Sequence, residues 1–141
     1  MLSASAARGP VVSPSRSIDY VPGVCNIGPA EIARRRRAGH VGLAIAFVVL
    51  AGLVAIGAPP AARLILVLPA AAAASAYLQA WLRFCAGFGA RGIFNFGELG
   101  HTDDVVDPVA RARDRAKARG IALASLAIGI VAAVIAFVLP L

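Results

Sequence analysis

Three long apolar runs, separated by charged or Gly/Pro-rich stretches, set the pattern of this chain. They are Val41–Ala58, Ala61–Leu82 and a third at 120–139, where Gly120 leads into Ile121–Leu139. Eighteen residues of helix rise ~27 Å, close to the ~30 Å of bilayer hydrocarbon. Each run therefore predicts a transmembrane helix. Pro59-Pro60 ends the first, and the second begins at once, so the two form an antiparallel hairpin. The predicted fold class is all-α: an integral membrane protein with three transmembrane helices, an antiparallel hairpin plus one helix.

The stretches between the runs have characters of their own. Residues 1–24 are rich in Ser, Ala, Pro and Gly without apolar periodicity, which predicts a flexible tail. The tail has no apolar core of the kind that makes a secretory signal, and its Arg and Ser content only superficially suits an organelle transit peptide. Residues 25–40 read as a basic helix start, with Asn26 or Gly28 as cap, Pro29 in the first turn and Glu31 favouring the helix dipole. Tyr77, Trp81 and Phe84 recur at i, i+4 and i+7, an aromatic belt where the second span leaves the lipid. Residues 83–107 predict a Gly/aromatic and acidic loop, because five glycines disfavour a regular helix. Residues 108–119 predict a basic helix, capped by Asp107 with Pro108 in first position.

Charge changes the picture by adding orientation. Only 15% of the 141 residues are charged, against about a quarter in a soluble domain, and they cluster outside the apolar runs. The net charge of +7 therefore points to topology and to anionic phospholipids as partners, not to nucleic acid. Arg34, Arg35, Arg36 and Arg37 precede the first span. Arg83, Arg91, Arg111, Arg113, Arg115, Lys117 and Arg119 all fall between the second and third. With three spans both groups share one side, and only Arg63 is left near the other, where it can snorkel. The positive-inside rule then places the N-terminus in the cytoplasm, Leu141 outside and the chain in a bacterial plasma (inner) membrane. Arg34–Arg37 and the face of Arg111, Arg115 and Arg119 are the expected anionic-lipid contacts, with Asp114 pairing to Lys117 at i+3.

Candidate chemistry is sparse. Gly87-Phe88-Gly89-Ala90-Arg91-Gly92 matches G-x-G-x-x-G, but a membrane helix precedes it and no strand frames it, so a dinucleotide site is not expected. A reduced version survives, in which backbone N–H groups of Gly87, Gly89 and Gly92 and the Arg91 side chain hold an anion or lipid headgroup. The plainer reading makes the glycines a sharp interfacial turn, with Phe84, Phe88, Phe94 and Phe96 dipping into the headgroups. Cys25 and Cys85 share one side and either pair for redox or metal chemistry or are two structural thiols. Glu98-x-x-His101 has a metal-motif spacing that Gly97 and Gly100 deny a helix. His40 lacks a partner histidine at its depth for haem. No cofactor and no metal are expected, and no enzymatic activity.

The spans are chemically quiet, with Ser75, Gln79 and Ser125 nearly their only polar side chains. Ion-coupled transporters place ionisable groups at mid-membrane, and none lies there. Small residues are what the spans offer: Gly42 and Ala46 on the first, Ala70 and Ala74 on the second, Ser125, Gly129 and Ala133 on the third. Such faces allow close helix approach in lipid, and three thin helices offer more than they cover. The expected function is a small non-catalytic accessory or structural subunit of a larger membrane complex, docking through smooth helix faces and a cytoplasmic loop. The alternatives are a membrane redox or metal-binding enzyme using Cys25 and Cys85 with the acidic loop, and a homo-oligomeric small transporter.

Overall fold

A computed structural model of the chain describes residues 20–141. The fold is mainly helical, and three helices are long and apolar enough to cross a membrane. Helix α1 is Pro29–Ala55, α2 is Val67–Trp81, α3 is Ala86–Arg91 and α4 is Pro108–Val138; a 3-10 segment, Pro60–Leu66, leads into α2. Ile93–Phe94 (β1) and Asp103–Asp104 (β2) form a small antiparallel pair in the register Ile93–Asp104 and Phe94–Asp103.

Helix α1 has no break at residue 40: the basic start and the first apolar run form one helix ~40 Å long. It ends at Ala55, before the expected Ala58, because Gly57 (φ +64°) turns left-handed. Gly57 N–H then donates to Val54 O and Ala58 N–H to Leu53 O, the paired bonds of a Schellman ending. The second run is not a uniform α-helix. Pro69 has no N–H to donate and its ring crowds the carbonyl of Ile65, so the chain before it winds as the tighter 3-10 form. Asp107 caps α4 as its position predicts, accepting from Val109 N–H and Ala110 N–H at 3.1 and 3.2 Å. From there α4 runs unbroken through Gly120 for ~46 Å.

Helix α2 is the middle member, packed against both α1 and α4. The contacts are made where side chains are missing. A Cβ on Gly42 would come within 3.2 Å of Ala73, and one on Gly39 within 2.9 Å of the Tyr77 ring. A Cβ on Gly129 would come within 2.7 Å of both Ala71 and the Val67 carbonyl. Ala133 and Ser125 are buried on the same α4 face, and the Ser125 hydroxyl donates to Ile121 O at 2.7 Å, so no polar atom there is stranded. The small-residue faces thus meet one another inside this chain, which removes much of the surplus that the sequence suggested. Large apolar side chains point outward instead, among them Phe47, Val48, Leu123 and Val138, each more than 60% exposed.

Arg63 does not snorkel into solvent. It is 4% exposed and donates to the carbonyls of Ala136 (3.1 Å), Leu139 (2.9 Å) and Leu141 (2.8 Å). These lie at or beyond the last turn of α4, where carbonyls lack helical partners. A guanidinium there satisfies several at once and complements the negative end of the helix dipole.

Candidate functional site

The opposite end of the bundle carries a polar cap, built where Tyr20–Gly28, the end of α2, α3 and the start of α4 converge. Val21-Pro22-Gly23-Val24 forms a tight turn, with Pro22 supplying a fixed φ and Gly23 (φ +70°) the left-handed position. The turn docks on α4 through Asp114, which is fully buried. Asp114 accepts from the Tyr20 hydroxyl and from Gly23 N–H, each at 2.7 Å. It is therefore not the i+3 partner of Lys117. Burial, the Asp114 hydrogen bond and the charges of Asp114 and Asp107 push the Tyr20 phenol well above its ordinary range, so it stays a donor. The Tyr20 ring stacks on Phe94, centroids 4.8 Å apart. Residues 20–24 thus belong to the folded cap, while the rest of the expected tail, 1–19, lies outside the described residues.

Asn26 is the second pin. Its side chain behaves like a strand: Oδ1 accepts from Cys85 N–H at 2.6 Å and Nδ2 donates to Cys85 O at 3.1 Å. Its own backbone donates to Arg83 O and accepts from Asn95 N–H. It does not cap α1. Gly28 holds that position with no side-chain bond, and Gly28 N–H donates to Asn95 O at 2.8 Å. A Cβ on Gly28 would fall 2.9 Å from the Phe96 backbone, so the close crossing needs glycine. Asn95 in turn folds its own loop, accepting from Gly97 N–H and donating to Glu98 O. Gln79, buried at the end of α2, accepts from Ala86 N–H at 3.0 Å and holds the start of α3.

Residues 83–107 are more regular than five glycines suggest. Helix α3 forms despite Gly87 and Gly89, and at Gly89 its packing needs the missing side chain. A Cβ on Gly89 would sit 2.6 Å from the Phe84 ring and 3.0 Å from Asp114 O. Gly92 (φ +73°) ends α3 beneath Arg111, whose Nε donates to Val105 O. The Gly89 amide is taken by Cys85 O, and Arg91 is exposed and donates to Gly87 O. The Gly92 amide is taken by Phe88 O, so of the amides expected to hold an anion those of Gly89 and Gly92 already have helical partners. Phe84 and Phe88 are buried, so neither dips into headgroups, and Phe84 leaves the expected belt; Trp81 alone of the three is strongly exposed, at 80%. Tyr77 faces α1, its hydroxyl 2.6 Å from His40 Nδ1.

The arginines divide. Arg34 lies 2.9 Å and Arg35 4.0 Å from the buried Glu31 carboxylate, and Arg35 also donates to Cys85 Sγ. Arg36, Arg37, Arg115 and Arg119 have no ion pair or side-chain hydrogen bond among the described residues. Cys85 is buried with Ile27 and Phe88, whereas Cys25 lines a surface groove, and no disulfide joins the two. Among the described residues no group of three His, Cys, Asp or Glu side chains is placed to hold a metal. Ala46, Ala70 and Ala74 line a crevice between the helices.

Sequence reasoning missed Tyr20, Asn95, Asp114 and Arg83 as structural determinants. Pro22-Gly23 was a turn signal within the apparent tail, but nothing local tells Asp114 from its charged neighbours. No family model, curated protein or solved structure matches the chain.

Proposed function

We propose that this protein is a non-catalytic accessory subunit of a larger membrane assembly, with its polar cap in the cytoplasm of a bacterial cell. The observation that carries this reading is where the buried polar groups go. Asn26, Gln79 and Asp114 each hold backbone groups of a neighbouring segment, and Asn95 holds those of its own loop. Where one of them meets a hydroxyl, Asp114 with Tyr20, the contact pins the 20–24 turn to α4. Such a cap presents a shaped surface instead of a reaction site. From the loop after β1 to the first turn of α4, Leu99, Val106 and Val109 stand exposed in a stretch that also carries the exposed Glu98, Asp103, Asp104 and Asp107. Apolar side chains rimmed by acids suit contact with another protein. The N-inside orientation rests on the basic residues gathered at the cap.

Extraction of the native membrane in mild detergent, followed by mass spectrometry of what accompanies the protein, tests the reading. Fixed-stoichiometry recovery with one set of membrane proteins is the expected result. Recovery alone and monomeric from the native source overturns it.

A further inference from the structure

The exposed side of the cap carries a groove of about 970 Å³ whose lining includes Arg36, Arg37, Arg83 and Trp81. No acidic residue lines it, and none of the three arginines has a side-chain partner among the described residues. Arg36, Ala80 and Trp81 also line a second cavity of about 380 Å³. That cavity shares Ala74, Tyr77 and Ile128 with a third, of about 320 Å³. The third is a three-helix crevice: Leu43 and Phe47 of α1 form one wall, Ile128 and Ala132 of α4 the other, and the alanines of α2 the floor. The three cavities therefore run on from one another, basic at the cap and almost wholly apolar deeper in.

We propose that this continuous groove is a binding site for one anionic phospholipid, its phosphate held by Arg36, Arg37 and Arg83 and one acyl chain laid in the crevice between α1 and α4. The inference stands apart from the accessory-subunit reading, because it needs no protein partner. Length supports it. From Arg36 to Leu50, which lines the far crevice, fourteen residues rise ~21 Å, room for a chain that reaches through one ~15 Å leaflet. Charge complementarity supports the headgroup: three guanidiniums line one groove, with no carboxylate among its described lining residues to answer them, and guanidinium forks match phosphate oxygens. Trp81 stands at the junction, where an indole favours the boundary between lipid and water. The alanine floor explains the apolar end, since larger side chains on α2 would fill it.

Arg83 is the specific member. It ends α2 in the left-handed conformation (φ +52°), with Arg83 N–H on Ala80 O and Phe84 N–H on Gln79 O. Glycine is the usual residue at that position of a Schellman ending. An arginine held there keeps a charge in the groove at a conformational cost.

The full-length protein, reconstituted in vesicles of phosphatidylglycerol and phosphatidylcholine at 1:4 and re-extracted in mild detergent, is examined by native mass spectrometry for retained lipid. One phosphatidylglycerol per protein is expected, in excess over its share of the vesicle. Arg83→Gly should lower retention about fivefold, and Arg36→Gln/Arg37→Gln further, at about fivefold per arginine, which corresponds to ~1 kcal/mol each. Arg83→Gly suits the backbone, so misfolding does not account for its loss. Arg113→Gln/Lys117→Gln, outside the groove, should change retention less than twofold. Ala74→Leu should displace the acyl chain and lower retention with all arginines intact. Retention of both lipids in the vesicle ratio overturns the proposal, as does equal loss with Arg113→Gln/Lys117→Gln, unchanged retention in Ala74→Leu, or a polypeptide held in place of lipid.

Discussion

In the helical bundle, segments meet through missing side chains; in the polar cap, they meet through side chains that imitate backbone. Gly42 lies against Ala73 and Gly129 against Ala71, and the hydrogen bonds between helices sit at the ends, Tyr77 with His40 and Arg63 with the close of α4. Asn26 and Asp114, by contrast, each clamp backbone groups from distant segments. The difference follows from the surroundings each part suits. Surrounded by hydrocarbon, a helix gains nothing by burying Leu, so contact comes from the close approach that small residues allow. In the cap, loops bring amides and carbonyls that helices do not satisfy, and burying them demands explicit partners. The bundle tolerates many sequences of similar size, whereas the cap needs particular ones.

Asn26→Ala should break the comparison hardest. It strips Cys85 N–H and O of their partners in a buried site and should cost ~3 kcal/mol. Thermal unfolding in detergent measures the loss, with exposure of Cys85 to a maleimide as a local probe. On the bundle side, Gly129→Ala should cost ~2 kcal/mol, since backbone at 2.7 Å cannot give way, while Gly52→Ala, which meets nothing within 4 Å, should be neutral or stabilising. Equal effects at the two glycines would refute the packing account.

Tyr20 sharpens the comparison through pH. Its folded-state pKa is raised, so the stabilisation is complete below the ordinary tyrosine value of ~10 and is lost as pH rises past it toward the folded value. Tyr20→Phe should remove that alkaline loss while costing ~1 kcal/mol at neutral pH. Difference melting curves at pH 8 and above check it. The smallest effect is expected of Arg83→Gly, which should stabilise by roughly 0.5 kcal/mol, relief of the left-handed arginine exceeding the added freedom of glycine. A drop in melting temperature would show that the guanidinium has structural partners.

The apolar helices were legible because a bilayer-length run of Val, Leu, Ile and Ala is a local property, readable without knowing any neighbour. Their boundaries were partly legible: Asp107 caps α4 as its position implies, but α1 stops at Ala55 on the left-handed Gly57 and not at Pro59, and the 3-10 winding before Pro69 appears only when the lost Ile65 partner is considered. The cap was largely illegible. Glycines at 87 and 89 read as helix breakers, yet α3 forms across both, and Gly89 is the reason it can lie against Phe84 and α4. Of the residues matched to anion binding, Gly89 and Gly92 already give their amides to carbonyls at α3, Cys85 O and Phe88 O. The arginines that line one groove, Arg36, Arg37 and Arg83, are spread over 47 positions of sequence.

By itself the sequence determined where the chain is apolar enough for lipid, which ends are basic and where helices start, because hydropathy, charge and capping act over a few residues. Only the tertiary structure decided that Asn26 bonds to Cys85, that Asp114 holds Tyr20 and that Arg63 closes α4. Those pairings join residues 59, 94 and 73 or more positions apart. Which of many similar donors and acceptors meet at that separation depends on how α1, α2 and α4 pack, and no local pattern records it.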